Sequence, residues 1–130
     1  MSAFVQSNSG EKNRYLELYR ANNASYSVAE QFSGGKTICE VEVNDLEKYN
    51  NLYLILQTTD NYKVHSRIIP VSDLADYNDT TLLTSEGKLM LNLTGNILKL
   101  YNGSTSANDI IYCYGRTDQD EHIGTIFFLA

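Results

Sequence analysis

The chain predicts an all-β fold, an antiparallel β-sandwich of about nine short strands with jelly-roll or Greek-key-like connections, and three observations support this. Short stretches alternate apolar and polar residues with period two, so each has one face to bury and one to leave wet. Most are closed by Asn, Gly or Asp, the residues that make tight turns. The strands are unevenly spaced, and the long connection Val71 to Glu86 reads as a crossing from one sheet to the other, where a small barrel would space its strands more evenly.

Residues 1 to 13 are polar and glycine-containing and read as a flexible N-terminal arm, leaving 14–130 as a single sandwich domain. Tyr15 to Ala21 fits a strand or a turn or two of helix. As a strand, the preferred reading, it sets Tyr15, Glu17 and Tyr19 opposite Leu16 and Leu18. Asn22-Asn23 then turns into Tyr26 to Phe32. Ser33-Gly34-Gly35 is a hairpin turn leading to Thr37 to Val43, with Cys39, Val41 and Val43 on one face and Glu40 and Glu42 on the other. After the polar stretch Asn44 to Asn51, the almost continuously apolar Leu52 to Thr59 suggests a central strand covered on both sides.

Asp60-Asn61 turns the chain into Tyr62 to Ile69, where Tyr62, Val64, Ser66 and Ile68 oppose Lys63, His65, Arg67 and Ile69. This hairpin is the centre of the expected fold. Pro70, the only proline, closes it because it has no amide hydrogen for the ladder, and Ser72-Asp73 are placed to cap a short helical turn through Asp76. The strands Lys88 to Leu93, Ile97 to Tyr101, Asp109 to Gly115 and Gly124 to Leu129 follow. They are joined by Thr94-Gly95-Asn96, Asn102-Gly103 and the acidic loop Thr117 to Glu121.

At 130 residues the chain is long enough for one core without metal or disulfide staples. The net charge of -6 is spread rather than blocked, which disfavours a nucleic-acid groove. There is no basic start followed by an apolar stretch, and nothing nears the ~20 apolar residues of a membrane span, so a soluble, unexported protein is expected. Cys39 and Cys113 are too few for a disulfide framework and read as buried free thiols, with a cross-strand bridge open only if their strands are neighbours.

No catalytic residue, metal site or cofactor is expected, and the chain is read as a non-enzyme. Asp118, Asp120, Glu121 and His122 gather in one loop, but it lacks the glycine and terminal carboxylate of a calcium loop and reads as a solvated hairpin. His65 and His122 belong to no nucleophile or zinc spacing, and His65 reads as a surface residue. The acids mostly sit in turns, which argues against a glycosidase pair. The segments Ser33 to Thr37 and Ser85 to Lys88 lack the spacing and the helix of a phosphate loop. The sequons at Asn23, Asn78, Asn92 and Asn102 reflect an Asn-, Ser- and Thr-rich composition.

The stretches NLYLILQTTDNYKVHSRIIPVSDL, KLMLNLTGNILKLYNG and IIYCYG, within Glu40 to Gly115, resemble small β-sandwich modules of bacteriophage virion proteins, of tail-fibre, baseplate or head-decoration type. The likeness is one of residue types rather than a specific motif. It implies a non-enzymatic accessory protein, such as a head decoration, collar, tail or fibre-head subunit, made in the host cytoplasm and carried in the virion. Its partners would be other virion proteins or itself, as a homo-oligomer such as a trimer, with a surface glycan as a further candidate. Tyr77, Asn78, Tyr101 and Asn102 are the expected contact residues. The rival readings are a small acidic inhibitor of a host protein and a carbohydrate-binding module.

Overall fold

The computed structural model describes residues 14–21, 29–57, 64–83, 88–115 and 124–130. These form ten strands: β1 (Tyr15–Arg20), β2 (Ala29–Ser33), β3 (Thr37–Glu42), β4 (Asn51–Gln57), β5 (Val64–Pro70), β6 (Thr80–Leu83), β7 (Leu89–Thr94), β8 (Ile97–Asn102), β9 (Ile110–Tyr114) and β10 (Thr125–Leu129). The expected arm 1–13, the Asn22-Asn23 and Asp60-Asn61 turns and the Thr117 to Glu121 loop lie outside the described residues.

The fold is all-β and antiparallel throughout, a sandwich as expected. One sheet runs β1-β10-β4-β5, and the β2–β9 ribbon joins it through the single pair Gln57–Tyr114. The other runs β3-β8-β7-β6. The facing surfaces bury Leu52, Leu54, Leu56, Ile69, Ile126 and Phe128 from the first sheet and Leu89, Leu91, Leu98 and Leu100 from the second, each at most 2 % exposed. Each such side chain contributes about 1.5–3 kcal/mol of transfer free energy. The final strand β10 lies between β1 and β4 rather than beside β9, so the chain winds with Greek-key-like crossovers and not as a meander.

Four departures from the sequence expectation have local causes. First, β6 lies unread within the middle connection. It follows a 3-10 turn over Val71–Asp76 whose Leu74 is fully buried, and the chain crosses here from the first sheet to the second as expected. Pro70 precedes that turn and no side chain caps it, so Ser72-Asp73 does not serve as a cap.

Second, the β1 register shifts between Glu17 and Tyr19. A bulge of this kind sends two consecutive side chains towards the same face, and both Leu18 and Tyr19 pack on the core while Tyr15 and Glu17 stay outside.

Third, Ser33-Gly34-Gly35 is not a hairpin turn, and Asn102-Gly103 opens a longer connection. Each carries the chain between sheets, from β2 to β3 and from β8 towards β9. Gly34 is required here: a Cβ would stand 2.7 Å from the Ser104 carbonyl oxygen and closer still to that of Ser106.

Fourth, the polar and apolar faces of β5 are exchanged. Ile69 is core, and Arg67, on the same side, is half-buried and donates to the Leu82 carbonyl at 3.1 Å, bridging β5 to β6. Ile68, on the outer side, is 60 % exposed. A long arginine can bury its stem and still satisfy its head, so a charged residue does not by itself mark the wet face. The side chain of His65 lies outside the described residues.

Candidate functional site

The four expected contact residues divide between two environments. Asn102 ends β8 with its side chain in the interior, fully buried. Its Nδ2 donates to the Phe32 and Asp109 carbonyls at 2.9 and 2.8 Å, and its Oδ1 accepts from the Lys88 and Ser104 amides at 3.2 and 3.0 Å. All the capacity of the amide is used within the fold. The expectation of Asn102 as a partner contact is therefore corrected: it fastens β8 to the end of β2 and to both ends of the 103–109 crossover. Its sequon is equally closed to a glycan in the folded chain.

Tyr101 points the other way, to the outer face of the second sheet. Its Oη donates to Asp79 at 2.5 Å, and the Lys99 ammonium lies 4.9 Å from its ring centroid. Asp79 takes a positive φ of 51° and its amide is held by Asn92 Oδ1 at 3.2 Å. This brings the exposed Asn78 near Tyr101, while the Tyr77 side chain packs on the core and its backbone carbonyl accepts from the Leu93 amide. The Tyr101 phenol is thus engaged at its hydroxyl and approached at its ring by Lys99, a small polar cluster rather than an open stacking platform.

Inside the sandwich, Tyr19 donates to Glu30 beside Cys113. Both cysteines are free, Cys113 fully buried and Cys39 half-buried. Burial pushes each thiol up to about 12, the opposite of what a nucleophile needs. Burial first, then Cys113 and Glu30, raises Tyr19; burial first, then Asp79, pushes Tyr101 up to about 12. No group of three metal-ligating side chains occurs among the described residues.

These four groups hold their protons more tightly folded than unfolded, where the thiols titrate at 9.0 and the phenols at 10.0. Their contribution to stability is whole below those values and is lost as pH rises through the folded ones. The urea midpoint is expected to hold to pH 9.0 and then fall steadily toward about 12. A midpoint unchanged across that window would contradict the assignment.

The feature that sequence reasoning missed is the outer face of the first sheet. The register aligns Glu17, Phe127, Tyr53 and Ile68 across β1, β10, β4 and β5. Phe127 stacks on Tyr53 at 5.1 Å with rings 4° apart and lies 5.1 Å from the Tyr15 ring. Tyr15 is 41 % exposed, Pro70 is exposed and Ile55 and Leu129 are half-buried on the same side. Among the described residues the charged pair on this face is Glu17 and Arg20, joined at 2.8 Å. On the second sheet the exposed Ile97 stands instead between Glu42 and Thr94, an isolated apolar residue of the ordinary kind. The signal for the missed face was the continuous apolar run Leu52 to Leu56 beside Ile68, Pro70 and GTIFFLA.

No protein-family model matches the chain, and no curated protein or solved structure is significantly similar to it.

Proposed function

We propose that this chain is a non-enzymatic accessory protein of the phage-virion type, a structural or adhesive part that works by contact between copies of itself through the outer face of its first sheet. The observation that supports this reading is the apolar outer face, where Ile68 is 60 % and Tyr15 41 % exposed on either side of a half-buried Tyr53 and a Phe127 that is only 3 % exposed. An antiparallel sheet with one face in the core ordinarily turns polar residues outward, and a contiguous apolar patch marks a place of association. The choice of a second copy rests on charge. Two chains of net charge -6 repel, and among the described residues of this face the charges of Glu17 and Arg20 cancel, which lowers the electrostatic cost of approach there.

The test is Ile68→Glu, read by light scattering coupled to size exclusion. Ile68 is 60 % exposed, so the variant is expected to keep the wild-type melting temperature. It is also expected to lower the solution mass to that of one chain, because a carboxylate cannot be buried unpaired at an interface. A variant of unchanged mass beside an oligomeric wild type would move the interface elsewhere.

A further inference from the structure

Asn102-Gly103 is the one Asn-Gly pair in the chain. In a flexible chain such a pair deamidates readily, because a glycine lets its backbone nitrogen reach the preceding side-chain carbon. The Gly103 nitrogen bonds to Asn102 Cγ, the Cγ–Nδ2 bond breaks, and the proton of the Gly103 amide leaves with Nδ2 as ammonia. Water then opens the resulting succinimide at either carbonyl, giving aspartate or isoaspartate. The only co-reactant is water.

In the folded chain every group in that step is engaged. The attacking Gly103 amide donates to the Lys88 carbonyl at 2.8 Å. The leaving nitrogen donates to Phe32 and Asp109, and Oδ1 accepts from Lys88 and Ser104. The side chain is fully buried, which keeps out the water that completes the reaction. Swinging Cγ towards the Gly103 nitrogen means breaking these bonds together. A Cβ at Gly103 would meet the flexible end of the Met90 side chain, which can swing aside, so the reactive pair is protected by the engagement of its groups rather than by a packing demand for glycine.

The product does not fit the site it came from. Aspartate has no N–H to offer the Phe32 and Asp109 carbonyls and brings a negative charge into the interior, beside the Asp109 carboxylate that accepts from Ser104 Oγ at 2.6 Å. Isoaspartate adds a backbone atom at the end of β8 and shifts every later residue. We propose that Asn102 is a conformation-gated deamidation site: shielded in the native fold, converted once β8 opens from the crossover, and unable afterwards to re-form the interlock, so that opened molecules are removed one way.

The experiment incubates the full chain at mildly alkaline pH in native buffer and in urea, and follows Asn102 by peptide mapping and isoaspartyl methylation. Conversion in urea is expected at the rate of a free Asn-Gly peptide and more than about a hundredfold slower in native buffer, since opening at a strand end within a packed sandwich is rare. Comparable rates would overturn the shielding. The Leu93→Ala chain, cut at a half-buried β7 position, is expected to stay folded and convert faster in proportion to its opening; a rate equal to wild type would overturn the gate. On dilution from urea, unmodified molecules are expected to regain the native melting transition and converted ones not. Recovery of both alike would overturn the one-way step.

Discussion

Replacing Asn102 by Ala is expected to cost on the order of 4 kcal/mol, because it strands two carbonyls and two amides in the interior. Each buried unsatisfied group costs about 1–3 kcal/mol, and water entering the vacated space returns part of the sum. The four partners come from the end of β2, the residue before β7, and both ends of the crossover between β8 and β9. One side chain thus secures the place where the chain passes between sheets. Against a domain stability of about 5–15 kcal/mol, such a loss makes the variant marginal at room temperature.

The near-isosteric Asn102→Asp separates hydrogen bonding from volume. It preserves shape, removes both donors and introduces a buried charge, so at neutral pH it is expected to be at least as damaging as Ala. Burial raises a carboxyl's folded titration point, and the variant should therefore regain stability as pH falls and the group becomes neutral. Urea unfolding of the two variants at neutral and mildly acidic pH checks this. Wild-type-like stability for both at neutral pH would show that the amide does not hold the crossover.

Phe128→Ala is expected to cost about 3–5 kcal/mol, the range for removing a fully buried aromatic ring that its surroundings cannot refill. Phe128 lies in β10, in register with Leu16 on one side and Leu52 on the other, and stacks on Tyr49 with centroids 5.3 Å apart. Tyr49 is fixed by the 3-10 turn Leu46–Lys48, where its amide donates to the Leu46 carbonyl. The ring therefore ties the middle of the first sheet to the connection that returns from the second. A change below about 1 kcal/mol in equilibrium unfolding would contradict this, since Ile→Val alone costs about that much in an ordinary core.

The strands of this sandwich were legible because period-two alternation is a local property. Leu98 and Leu100, Leu89 and Leu91, and Leu52, Leu54 and Leu56 all face the core as their spacing requires. What stayed hidden depends on partners remote in sequence. Gly34-Gly35 and Asn102-Gly103 look like tight turns, yet whether flanking strands pair with each other is decided by the whole packing. Asn102 reads as a turn residue with its amide in water, and nothing in the sequence announces that Phe32, seventy positions earlier, accepts a hydrogen bond from it. The inversion of β5 was hidden for a related reason: polarity assigns Arg67 to water and Ile68 to the core, while the fold buries the arginine stem and leaves the isoleucine outside. Of the expected contact residues, Tyr101 and Asn78 lie on the outside of the second sheet, with the Tyr101 hydroxyl held by Asp79.

The most direct measurement is the wild-type solution mass over a dilution series, by light scattering coupled to size exclusion. Association through the outer face of the first sheet predicts a closed oligomer that persists on dilution and gives way to single chains only at low concentration. A single chain of 14.7 kDa at every concentration would contradict it and direct attention to an acidic inhibitor with one tight partner or to a sugar-binding module.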